Sequence, residues 1–253
     1  MKLGIVGKGG VGKTTIAALI GEAFASRGKR VVAIDTDSNP NLGTSLGLDF
    51  TAAEAVPLVP RSIASGPGAG VPGAELLATY GRGTPAGVTL LSAMRVDQAG
   101  AGCTCGSHAA VRSLLQDVLD DESDVTLVDM EAGLEHLSRS GGTLAYADVL
   151  LIVMEPSRKS VLTAARTVAL ADELGIPLCL AVGNKARLPE DATFFEEACA
   201  EYGVKLISVI PLDPAIPAAD RAGTGVFGAS AVAARSAVSD LVDRLEELDS
   251  KVH

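Results

Sequence analysis

Apolar runs of strand length recur along the chain, at Leu3–Val6, Val31–Ile34, Val88–Leu91, Val125–Val128, Val149–Met154, Leu178–Val182 and Leu206–Ile210. They are continuous rather than alternating, so each strand needs cover on both faces, and that need restricts the chain to a sheet buried between two layers. Most are separated by segments with apolar residues three and four apart, at Thr14–Ser26, His108–Leu119, Ser160–Leu174, Pro189–Tyr202 and Ala229–Leu248. Gly28 follows the first of these, as a left-handed helix stop should. The βαβα order predicts an α/β, doubly wound fold with a mostly parallel sheet of about seven or eight strands. At 253 residues the chain fits one domain, 1–253. Residues 57–87 hold five Pro and seven Gly, and are expected to form an irregular excursion from it.

Residues Gly7-Lys-Gly-Gly-Val-Gly-Lys-Thr14 fit the pattern G-x-x-x-x-G-K-[ST], and they lie between a predicted strand and a predicted helix, as that pattern requires. Glycines let successive N–H groups turn onto phosphate oxygens. The helix N-terminus adds its dipole, and Lys13 neutralises the β and γ charge. The expected phosphate contacts are Gly9, Gly10, Val11, Gly12, Lys13, Thr14 and Thr15. The Thr14 hydroxyl is the expected magnesium ligand.

Lys8, the extra lysine of this loop, resembles the signature residue of the deviant Walker A ATPases, a P-loop group that includes MinD, ParA and nitrogenase iron protein. The resemblance implies a SIMIBI/MinD-type fold, ATP as the nucleotide, and a dimer in which Lys8 reaches the partner's nucleotide. It also implies that Asp37 orients or deprotonates the attacking water and that Asp35 partners the Mg²⁺ shell. Asp129 would hold a Mg²⁺ water, and the Gly133 amide would sense the γ-phosphate. Asn184 is expected at the adenine ring, with the backbone at Pro211 and Leu212 along its other edge.

Four cysteines in so long a chain are no disulfide framework, and two of them, Cys103 and Cys105, form a C-x-C pair. Two thiols cannot close a tetrahedral site, but a two-fold axis would supply two more. Four thiolates suit Zn²⁺, Ni²⁺ or Cu⁺. Residues 100–115 and 129–137, which carry this pair and a Glu-His, resemble the CooC family of carbon monoxide dehydrogenase maturation ATPases. That resemblance implies a homodimer binding nickel (or zinc in its place) through Cys103 and Cys105, with carbon monoxide dehydrogenase apoprotein as client. His108 is expected in the first turn of a helix, and His136 between the second switch and the metal site or in the core. Cys179 and Cys199 fall on apolar faces and are expected to be core residues.

Composition narrows the alternatives. Net charge is −10, with no Trp, five Phe and three Tyr, so neither phosphate attraction nor base-stacking platforms favour nucleic acid. Residues 240–249 are amphipathic but acidic, unlike the basic helix of a membrane-positioning relative. A MinD- or ParA-like positioning ATPase is therefore the alternative reading. An electron carrier resembling nitrogenase iron protein is another, although residues 129–137 contain no Cys. With no apolar run long enough to span a bilayer and no signal-peptide pattern, the chain is expected to be cytoplasmic, without membrane or nucleic-acid partners.

Overall fold

A computed structural model describes residues 1–63, 70–95, 105–133 and 143–250. The strands are β1 (Lys2–Val6), β2 (Val31–Asp35), β3 (Arg82–Gly83), β4 (Thr89–Ser92), β5 (Val125–Asp129), β6 (Val149–Met154), β7 (Leu178–Ala186) and β8 (Leu206–Pro211). They form one sheet in the order β3-β4-β2-β5-β1-β6-β7-β8. All neighbours run parallel except the short edge strand β3, which pairs antiparallel with β4. The doubly wound sheet expected from the apolar runs is what forms.

The continuous runs divide by alternation between two cores. Val31 and Ala33 of β2, with Val149, Leu151 and Val153 of β6, join one side. Val32 and Ile34, with Leu150, Ile152 and Met154, join the other. Helices α1 (Lys13–Ser26) and α9 (Val232–Asp249) cover the first face through Phe24, Ile20, Leu241 and Leu245. Helices α5 (Cys105–Ser113), α6 (Arg158–Leu174) and α7 (Pro189–Glu201) cover the second through Val111, Val161 and Phe195. Fully burying side chains of this size contributes roughly 1.5–3 kcal/mol each, which is the main force holding the layers together. Space in the second core is tight where β1 crosses it, since a Cβ at Gly4 would lie 2.6 Å from a methyl of Leu144.

Helix ends follow local chemistry. Gly28 takes φ +80 after α1, as expected. The Ser157 hydroxyl accepts from Ser160 N at the start of α6, and Gly175 closes that helix at φ +71. Pro189 opens α7, with the Asp191 carboxylate accepting from Arg187 N and Leu188 N.

Several elements escape the periodicity. Helices α2 (Leu42–Ser45), α3 (Phe50–Glu54), α4 (Gly73–Tyr80) and α8 (Ala215–Arg221) are mostly too short to show it. The 57–87 excursion is more regular than its composition suggests, because it holds a 3₁₀ turn at Arg61–Ile63, then α4 and β3. Leu76 anchors α4 in the second core, and β3 gains its ladder by folding back on β4. Helix α5 continues as a π turn over Leu114–Val118, which keeps both Leu114 and Leu115 buried. Helix α9 begins at Val232, three residues later than expected, with Ala229 and Ala231 buried ahead of it.

Candidate functional site

Strand β1 lies between β5 and β6, the point at which the winding of the sheet reverses, and ligands of such folds bind beyond the C-terminal strand ends there. The loop Gly7–Gly12 leaves β1 at that point and enters α1. Two of its glycines are sterically required. A Cβ at Gly7 would stand 2.4 Å from the Val153 carbonyl oxygen, and Gly12 caps α1 at φ +96 with Asn184 Nδ2 2.5 Å from where a Cβ would lie. Gly9 approaches Ala132, placing the loop against the segment after β5.

Lys13, the first residue of α1, is buried. Its Nζ lies 3.5 Å from the Lys8 carbonyl. Burial lowers its pKa, while the charges of Asp129, Asp37 and Glu131 work in the opposite direction and hold the ammonium. The side chain of Lys8 itself is exposed.

Parallel pairing of β2 with β5 sets Asp35 beside Asp129 at the ends of both strands. Each is buried, and desolvation is the main cause that raises Asp35 to about 6 and Asp129 to about 7. The neighbouring Asp35 charge pushes Asp129 up further, against the Thr14 hydroxyl and Lys13. The two carboxylates are nonetheless engaged differently. Both Asp35 oxygens accept backbone N–H groups, from Asp37 at 3.0 Å and Leu42 at 2.9 Å, so this side chain organises the loop that carries Asp37. Asp129 Oδ1 has no hydrogen-bond partner among the described residues. An uncompensated buried carboxylate oxygen beside the Thr14 hydroxyl suits a hydrated divalent cation held jointly with phosphates, and the residues present fit Mg²⁺ in that role.

The loop after β2 is tied to the segment after β5. Thr36 donates both its N–H and its hydroxyl to the Asp129 carbonyl, at 3.1 and 2.8 Å. The Ser38 hydroxyl donates to Glu131 Oε1 at 2.9 Å. The Asp37 carboxylate accepts from Asn39 N and faces a cavity of about 930 Å³. That cavity reaches from Lys13 and Thr14 to Asn184, Pro211 and Leu212, a volume suited to a nucleotide-sized ligand. Leu212 N donates to the Ala186 carbonyl, which sets the end of β8 beside Asn184. Asn184 is buried, and its amide donates to Val11 O at 2.8 Å, a contact the expected adenine role did not include.

The structure thus brings together the phosphate loop, Asp35, Asp37, Asp129, Asn184, Pro211 and Leu212. Gly133, at φ +134, ends the described segment after β5. Cys103 and His136 lie outside the described residues, and Cys105 is described only as the first residue of α5. Among the described residues no group of three or more His, Cys, Asp or Glu side chains is arranged to hold a metal ion. His108 is buried, in the fourth position of α5. Cys179 and Cys199 are free thiols, Cys199 buried in the second core and Cys179 partly buried and packed against it. Burial pushes both thiols up, Cys179 to about 11 with a smaller contribution from Asp172. Sequence reasoning missed the Ser38–Glu131 bond, since residues 93 apart leave no spacing signal, and the engagement of Asp35, which depends on the turn of the loop after β2.

A family model described as CobQ/CobB/MinD/ParA nucleotide binding domain matches residues 5–226. The chain belongs to this family. Membership makes it an ATPase of the class the phosphate loop implies, and the resemblance to CooC proteins also holds. It is 38% identical to the carbon monoxide dehydrogenase accessory protein CooC of Rhodospirillum rubrum, over 91% of this chain and 90% of that one. An uncharacterized ATP-binding protein of Methanocaldococcus jannaschii is 35% identical over 84% of this chain and 86% of its own. The MinD cell division protein of Aquifex aeolicus shares the fold, with a TM-score of 0.72 over 97% of this chain and 96% of that one at 23% identity. No helix among the described residues is long and apolar enough to cross a membrane.

Proposed function

We propose that the protein is an ATP-hydrolysing metallochaperone that carries nickel to the nickel–iron–sulfur cluster of carbon monoxide dehydrogenase. One observation carries the reading: a chain with the C-x-C pair Cys103/Cys105 aligns with a carbon monoxide dehydrogenase accessory protein over nine-tenths of both lengths.

In this reading the amides of Gly9 to Thr15 cradle the phosphates, and Lys13 neutralises the β and γ charge. Thr14 would ligate the magnesium and Asp129 would hold one of its waters, and the ion would supply charge neutralisation at the transferring phosphoryl group. Asp37, fixed through Asp35, orients the attacking water, and the Gly133 amide meets the γ-phosphate. Asn184 and the backbone of Pro211 and Leu212 border the base. The exposed Lys8 reaches the nucleotide of a second copy, and closure of that homodimer assembles four thiolates from two C-x-C pairs around one ion. Nickel is the cargo, and zinc is a chemically acceptable substitute. The client is the dehydrogenase apoprotein, and the setting is cytoplasmic.

Metal analysis of purified protein, with sizing in the presence and absence of ATP and nickel, tests this. The expected result is one ion per dimer, lost in Cys103→Ser/Cys105→Ser. Full nickel affinity and dehydrogenase activation in that double variant would remove the metal half of the reading. A monomer indifferent to both ligands would remove the rest.

A further inference from the structure

A loop that turns its N–H groups inward onto phosphate turns carbonyls of the same residues outward, and those carbonyls need donors of their own. Two of them are met by consecutive residues at the end of β7. Asn184 Nδ2 donates to Val11 O at 2.8 Å, and Lys185 Nζ donates to Gly10 O at 2.5 Å. The second bond is charge-assisted and therefore the stronger kind.

Lys185 reaches Gly10 from an unusual backbone. At φ +62 it is the only non-glycine residue with positive φ among the described residues, a conformation that costs free energy and persists only where surrounding structure compels it. The register of β7 against β8 is interrupted between Gly183 and Ala186, and the Ala186 carbonyl accepts from Leu212 N, so the strand is bent where Asn184 and Lys185 leave it. Gly12, the next glycine of the loop, packs against both side chains, with Asn184 Nδ2 2.5 Å and Lys185 Cε 3.8 Å from where its Cβ would lie.

We infer that Lys185 is a positioning residue for the phosphate site, its ammonium holding the Gly10 carbonyl outward so that the loop amides face the cavity before a polyphosphate arrives. The inference rests on the ATPase reading and adds to it a residue that acts on the phosphate end of the ligand. The bent strand end and the left-handed backbone are what bring the ammonium there. Preorganisation of this kind raises affinity by removing an ordering cost from the binding step.

Calorimetric binding of ATP and of tripolyphosphate, which lacks base and sugar, to wild type, Lys185→Met, Lys185→Gly and Lys185→Arg decides the matter. Loss of a charge-assisted bond to the loop should weaken ATP and tripolyphosphate by the same factor, about tenfold, in both the Met and Gly variants. The Arg variant should retain most of the affinity for each. Weakened ATP with unchanged tripolyphosphate would overturn the inference, because Lys185 would then act at the base or sugar. So would unchanged binding of both, or recovery in Lys185→Gly, which would assign the Met effect to backbone strain. A wild-type chain that binds neither ligand would instead refute the ATPase reading itself.

Discussion

Replacing Asp129 by Asn removes the charge of a buried carboxylate while keeping an acceptor for the Thr14 hydroxyl. Burial and the neighbouring Asp35 raise Asp129 from 3.8 to about 7, so in the ligand-free protein it holds its proton across a range where the unfolded chain has released it. The folded state then binds more protons than the unfolded state from about pH 4 to about pH 7, and stability falls as pH rises through that window. A shift of about three units corresponds to about 4 kcal/mol of penalty once pH exceeds the folded value. At pH 5 only the part accumulated above the unfolded value is present, a little under 2 kcal/mol. The stability advantage of Asp129→Asn should therefore grow by about 2–3 kcal/mol between pH 5 and pH 8. For a chain of this size that is about 5–10 °C in the difference between the two melting temperatures. Scanning calorimetry in chelator, without nucleotide, measures it, and titrating groups remote from Asp129 cancel because only the difference is read. A difference constant across that range would refute the claim that Asp129 is held protonated.

Two further outcomes follow from other contacts. Ser38→Ala and Glu131→Gln each weaken the hydrogen bond between the two loops, and should lower ATP turnover by similar factors of roughly three to ten. The double variant should be no worse than either single, and strictly multiplicative losses would show that the two side chains act separately. At pH 8 an aromatic disulfide reagent should leave Cys179 and Cys199 unreacted in the native protein and titrate them only on unfolding, because burial raises both thiols.

The sheet was legible because each of its seven longer strands is built on a mostly apolar run, and the phosphate loop because its glycines and Lys13 fall within one short stretch. Strand β3 was not, since two residues paired to β4 carry no periodicity. Helix α4 was hidden by Pro and Gly around it, although Leu76 gives it a core contact. At the site, sequence named Asp35, Asp37, Asp129 and Asn184 but not what each is bonded to. Asp35 turned out to serve the loop amides of Asp37 and Leu42, and Asn184 the carbonyl of Val11. The Asp35 partners are local, two and seven residues on, but depend on how the loop after β2 turns, whereas the Asn184 partner is set by strand order, which brings residues 173 apart into contact.

That long reach bears on how the protein is made. A ribosome that has released only the first 130 residues has already delivered the phosphate loop, Asp37 and Asp129. The donors for Gly10 and Val11, however, arrive only with residues 184 and 185, near the end of β7. A nascent chain that ends between these two points therefore holds the phosphate loop without the two side chains that meet its outward carbonyls.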